Sequence, residues 1–211
     1  MKFESLIFDI DGTLWDSRAL VAEGYNIQLR SEGYDSLCVD AQTLRPLFGK
    51  TMADIADVIL AKVPVSERYA LMERCMDTEN RYLAENECNI GYTGVKETLE
   101  ALAKDYRLFI VSNAQCGYPE LCMEKLGIGP FIEGHLCYGD TGTEKGETIR
   151  ALMRRHNIAS AVYIGDTQGD YEATLVADIP FIWAVYGFGS PENAAGKIRD
   201  IRHLPLVLEV L

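Results

Sequence analysis

The stretch "FDIDGTLWDS", residues 8–17, decides how the rest of the chain is read. It closes the apolar run "SLIFDI" (5–10), so Asp9 and Asp11 stand where a buried strand runs out. Charge is rare at such a place unless it is paired or holds a metal. In an extended segment residues two apart project the same way, and Gly12 marks a turn directly afterwards. The spacing offers two neighbouring carboxylates with separable tasks, one to attack and one to carry a proton beside it.

Four later runs are built like the first: "RLFIVSN" (107–113), "GHLCYGD" (134–140), "AVYIGD" (161–166) and "IPFIWAVYG" (179–187). Each is short, rich in β-branched or aromatic residues and bounded by turn residues, as buried parallel strands are. Helical patterns separate them. Residues 93–106 align Val95, Leu99 and Leu102; residues 118–127 end on Gly127, a natural helix stop; residues 145–157 align Ile149, Leu152 and Met153. Strand alternating with helix predicts an α/β fold with a doubly wound parallel sheet.

One interval breaks this rhythm. The segment between the first strand and the helix at 93 far exceeds an ordinary crossover, whose loops run to about 2–6 residues. It reads as helical throughout: 16–33 ending on Gly33, 51–63 with Met52, Ile55, Val58 and Ile59 at helical spacing, and 66–86 with Tyr69, Met72, Met76 and Leu83. These stripes are helix-packing faces. The expected organisation is a core of residues 1–15 and 89–211 with an inserted helical cap over 16–88.

The chain has 211 residues, 48% hydrophobic and 25% charged, with a net charge of −12. Nucleic acid and anionic membranes demand a dense basic face, so neither is an expected partner. An anionic substrate would need positive charge gathered locally, from a metal, a Lys or helix N-termini. Cys38, Cys75, Cys88, Cys116, Cys122 and Cys137 form no C-x-x-C pair and are read as reduced, packed thiols of a cytoplasmic protein. The N-terminus "MKFESLIFDI" is too short and acidic for a signal peptide, and no apolar run approaches a membrane span. "FGKT" (48–51) fails as a P-loop because Leu44 stands where the first Gly is required.

In a doubly wound sheet, ligands bind beyond the carboxyl ends of the strands. Asp9 and Asp11 end the first predicted strand, Ser112 and Asn113 the second, and "GDTQGD" sets Asp166 and Asp170 beyond the fourth. Lys145 opens the helix before the fourth strand, an end where the helix dipole disfavours a cation, so its placement points to a purpose. Four carboxylates on one rim repel one another, and a hard divalent cation such as Mg²⁺, with oxygen ligands, relieves them.

"DIDGTLWDS", "VSNAQ", the Lys of "TEKGETIR" and "GDTQGDYEA" together resemble, in order and spacing, the four motifs of the haloacid dehalogenase-like (HAD) hydrolase superfamily. The helical insert after the first motif is similar to the α-helical cap of its phosphoglycolate-phosphatase-like branch. The resemblance implies an Mg²⁺-dependent phosphatase of a small phosphorylated metabolite working through an aspartyl-phosphate. It implies Asp9 as nucleophile, Asp11 as acid and base, and Lys145 as the third catalytic group. Thr13, Ser112 and Asn113 would bind the substrate's phosphoryl group. Asp9, Asp11 (through its carbonyl), Asp166 and Asp170 would form the metal centre, with Asp170 supporting that shell or pairing with Lys145. Lys145 is followed by Gly146 where the branch commonly has Pro.

Other readings of the same motifs are weaker. Dehalogenase members lack the second Asp of the first motif, and Asp11 is present. Mutases of the β-phosphoglucomutase type tend to carry a His early in the cap, where this chain has Val21. A non-catalytic binder of a phosphorylated ligand would be expected to lose Asp9 or Asp11.

Overall fold

The structure is a computed structural model describing residues 3–211. The chain divides into two compact units, Met1–Asp16 with Asn89–Leu211, and Ser17–Cys88.

Among the described residues of the first unit, six parallel strands form one sheet: β1 (Ser5–Phe8), β2 (Arg107–Ser112), β3 (Ile132–Cys137), β4 (Ala161–Gly165), β5 (Phe181–Ala184) and β6 (Gly196–Ile198), in the order β3-β2-β1-β4-β5-β6. The expected parallel α/β fold is observed. β1 is central, and its last residue, Phe8, lies level with Ile110 of β2 and Ile164 of β4. Leu6, Ile7 and Phe8 are fully buried, because a central strand flanked by helices has no wet face.

The second unit carries α1 (Arg18–Ser31), α2 (Ala41–Leu44), α3 (Met52–Ile59) and α4 (Val65–Glu85). α1 packs on α4 at Gly24, where an added Cβ would stand 2.7 Å from Glu79 Cα. Ile55, Ile59, Met72 and Leu83 are buried, as their spacing predicts, but Val58 and Tyr69 are exposed. The apolar stripe of the eight-residue α3 is completed by Ala56, so Val58 falls beside the packing face.

The first unit adds α5 (Val95–Leu102), α6 (Tyr118–Leu126), α7 (Tyr138–Thr141), α8 (Lys145–Arg155), α9 (Gln168–Ala177) and α10 (Leu204–Val210). On one face of the sheet, Ile7, Phe109, Val111, Tyr163 and Phe181 pack with Ile149 and Leu152 of α8 and Ala173 and Ala177 of α9. The elements differ in places from the sequence reading. β1 ends at Phe8, although Asp9 N still donates to Ile164 O at 2.8 Å. Residues 138–140 turn into α7 instead of extending β3, because Asp140 caps that turn through Cys137 N. β6, only "GKI", has too little apolar pattern to announce itself.

Candidate active site

The rim beyond β1, β2 and β4 assembles the residues that the sequence reading singled out. Asp9 follows β1 and is 2% exposed; Gly12 turns the chain with a φ of 80°. The turn is closed by Leu14 N donating to Ile10 O at 2.8 Å and Gly12 N to Trp15 O at 2.9 Å. Ser112 ends β2, buried, and its Oγ accepts from Ala114 N at 3.3 Å; Asn113 follows it. Thr13 is fully buried, and its Oγ1 has no hydrogen-bond partner among the described residues.

Lys145, the first residue of α8, is as buried as the carboxylates it meets. Its Nζ donates to Asp170 Oδ1 at 2.6 Å and to Asp9 Oδ1 at 3.0 Å. A buried ammonium at a helix N-terminus is tolerable only with such partners. Asp170 is tied down further: its Oδ2 accepts from Asp166 N at 3.1 Å, Thr167 N at 2.9 Å and Thr167 Oγ1 at 2.8 Å. It is the third residue of a capping box with Thr167 at the N-cap of α9. Asp166, just past β4, is fully buried. Its Oδ2 accepts from Phe188 N at 2.6 Å, while Oδ1 has no partner among the described residues.

Backbone closes round Asp166. A Cβ at Gly12 would lie 2.3 Å from Asp166 Oδ2, and one at Gly187 2.4 Å from Asp166 Cβ. Only glycine lets both loops approach a carboxylate so closely.

The charges are unevenly compensated. Burial would raise Asp170, but the charge and hydrogen bond of Lys145 outweigh it and hold Asp170 below the usual carboxylate range. Lys145 is in turn held above its usual value, the two carboxylates overcoming its burial. Asp9 fares differently: burial, then the charge of Asp170, raises it to about 7 against the pull of Lys145. Burial, then the charges of Asp170 and Asp9, pushes Asp166 well above the carboxylate range. Lys145 therefore serves Asp170 more than Asp9, and Asp9 and Asp166 are left short of positive charge.

A divalent cation fits that deficit. Carboxylate oxygens of Asp9, Asp166 and Asp170 lie within 4.8 Å of one another, and Asp166 Oδ1 is a buried acceptor with no donor. An all-oxygen donor set suits Mg²⁺. The Asp11 side chain stands outside that group. Its Oδ1 accepts from Trp15 Nε1 at 2.8 Å and from Tyr118 OH at 2.9 Å. The two buried rings meet edge to face, centroids 5.4 Å apart, which fixes both donors. Neither ring carries a local sequence signal for this role, and Tyr118 is 107 positions from Asp11.

Comparison with known proteins gives the family. The family profile described as haloacid dehalogenase-like hydrolase matches residues 6–184. A phosphoglycolate phosphatase of Rhodobacter capsulatus is 27% identical, the match spanning 97% of this chain and 96% of that protein. A phosphoglycolate phosphatase of Pseudomonas syringae pv. tomato is 28% identical over 94% of this chain and 77% of its own length. Among solved structures, a predicted phosphoglycolate phosphatase from Haemophilus somnus 129pt superposes with a TM-score of 0.83 at 21% identity, covering 99% of both chains.

Proposed function

Because the chain belongs to the haloacid dehalogenase-like hydrolase family, we propose that it hydrolyses a small phosphate monoester, of the phosphoglycolate type, through a phosphorylated Asp9. The observation that carries this reading is the division of labour between the two carboxylates. Asp9 is buried against Lys145, whereas Asp11 is held apart by Trp15 and Tyr118.

Lys145 fixes one oxygen of Asp9 and so sets the rotation of its carboxylate toward the phosphorus. Attack by Asp9 forms an Asp–O–P bond as the ester P–O bond breaks, and Asp11 gives its proton to the departing alkoxide. Water then attacks the phosphorus, Asp11 takes back a proton, and the Asp–O–P bond breaks to free inorganic phosphate and Asp9. Ser112, Asn113 and the Thr13 hydroxyl are assigned to the phosphoryl oxygens. Asp9, Asp166 and the Asp11 carbonyl are assigned to Mg²⁺, which when bound neutralises the phosphoryl charge. Asp170, its oxygens already taken by four donors, is assigned to anchoring Lys145 beside that centre. Choice among esters is assigned to the helical unit, Ser17–Cys88, which follows the first motif directly in the chain.

The test is phosphate release from p-nitrophenyl phosphate and 2-phosphoglycolate with Mg²⁺, and capture of beryllofluoride on Asp9. Turnover no greater than that of D9N on a broad panel of phosphate esters, with no modification of Asp9, rejects the proposal.

A further inference from the structure

A second cluster of ligating side chains lies at the ends of β2 and β3. Cys137 ends β3 in register with Ser112 and is 1% exposed. Asp140 turns back toward it from α7: its Oδ2 accepts from Cys137 N at 2.8 Å and stands 3.1 Å from Cys137 Sγ. Cys116, in the loop after β2, places its Sγ 3.7 Å from Asp140 Oδ1. One ligand atom from each of the three lies within 4.8 Å of the other two.

The scaffold that brings them together is tight. Gly139 N donates to Ala114 O at 3.2 Å, tying α7 to the loop that carries Cys116. A Cβ at Gly139 would stand 2.4 Å from Cys116 N and 2.8 Å from its Sγ, so a side chain there would drive the thiol away. The capping of α7 accounts for Cys137 and Asp140 but has no need of Cys116. Cys116 and Asp140 are exposed, which opens the group to solvent on one side.

Two thiols and a carboxylate are a zinc-type donor set, three protein ligands with a fourth position open. Bond lengths of about 2.3 Å to sulfur and about 2.0–2.2 Å to oxygen set tetrahedral donors about 3.4–3.8 Å apart. Cys116 Sγ meets Asp140 Oδ1 at 3.7 Å, inside that range, while Cys137 Sγ meets the other oxygen, Oδ2, at 3.1 Å. Thiolate ligands also select against Mg²⁺, so this group and the carboxylates around Asp166 sort cations by chemistry.

We propose that Cys116, Cys137 and Asp140 bind a thiophilic divalent cation of the zinc type, with water in the fourth position. Binding releases the two thiol protons to solvent as both sulfurs bond the ion as thiolates. An ion there would brace the loop that begins at Ser112 and Asn113 against α7. The site stands on its own residues and is independent of the hydrolytic reading.

The experiment is a titration of the reduced, chelator-stripped full chain with Cd²⁺, in excess Mg²⁺, followed by the thiolate-to-cadmium charge-transfer band. One equivalent should saturate the band at the intensity of two thiolates. C116S should at least halve that intensity, and D140N should weaken binding at least about tenfold. C38S/C88S, which removes the other exposed thiols, should change nothing. A band that fails to saturate at one equivalent, survives C116S at full intensity, or disappears in C38S/C88S overturns the proposal. C116S alters an exposed side chain, so its readout does not depend on disturbing the buried Cys137.

Discussion

Replacing Lys145 by Met should cost the metal-free protein far more than the loss of a surface lysine. The ammonium is 4% exposed and donates to two carboxylates, at 2.6 Å and 3.0 Å. Met fills much of the same volume but leaves Asp170 and Asp9 buried and facing each other. Breaking a buried pair by removing one partner costs about 3–5 kcal/mol. In a chain of this size 1 kcal/mol moves Tm by about 2–4 °C, so a fall of roughly 6–20 °C is expected. Asp170 takes the shorter bond, so D170N should rescue part of the loss. The double variant K145M/D170N should be more stable than the two separate losses predict, by about 2–3 kcal/mol. Denaturant unfolding in EDTA, followed by circular dichroism, measures all four corners of the cycle. Additivity within about 0.5 kcal/mol would refute the claim that these two charges hold each other.

Tyr118→Phe removes a donor to Asp11; at about 1.5–3 kcal/mol for a hydrogen bond to a charged group, kcat should fall roughly 10–100-fold in steady-state assays with KM little changed. Saturating Mg²⁺, at about 100 times its Kd, should add about 2.7 kcal/mol, or roughly 5–10 °C in thermal unfolding, and D166N should abolish that gain. In EDTA, stability should fall as pH rises from about 4 toward 7: the unfolded chain releases the Asp9 proton near its ordinary 3.8, whereas the folded protein keeps it to about 7. D9N should flatten that slope in a series of melts. Gly12→Ala, strained by a φ of 80° and set 2.3 Å from Asp166 Oδ2, should lower stability by about 1–3 kcal/mol and remove the Mg²⁺ response.

The parts of the site that could be read from the sequence share one property: they sit at strand ends or helix starts. Asp9, Ser112, Lys145 and Asp166 converge because a parallel sheet aims every such position at one rim. Tyr118 sits at such a start too, the first residue of α6, but an aromatic there looks like packing until Asp11 is found across from it. Phe188 contributes a backbone N–H, which no side-chain pattern encodes. Cys116 and Cys137 look scattered because Gly139, not spacing, brings them together. The sequence leaves Asp170 open to two roles, and its bonds to Lys145 and Thr167 support the pairing with the lysine. The exposure of Val58 shows the limit of periodicity in a helix of two turns, where a small Ala can take the buried place.

The strand order has a consequence for biosynthesis. β1 is complete at Phe8, yet its neighbours begin only at Arg107 and Ala161. At about 5–20 residues per second, the ribosome delivers β4 roughly 8–30 s after β1. Throughout that time three apolar residues, Leu6 to Phe8, wait without both partners. The helices of Ser17–Cys88 emerge meanwhile as one uninterrupted stretch and can close on themselves first. Asp9 and Asp166 meet only when β4 docks, so these two carboxylates come together late in synthesis, with β5 and β6 still to join the sheet.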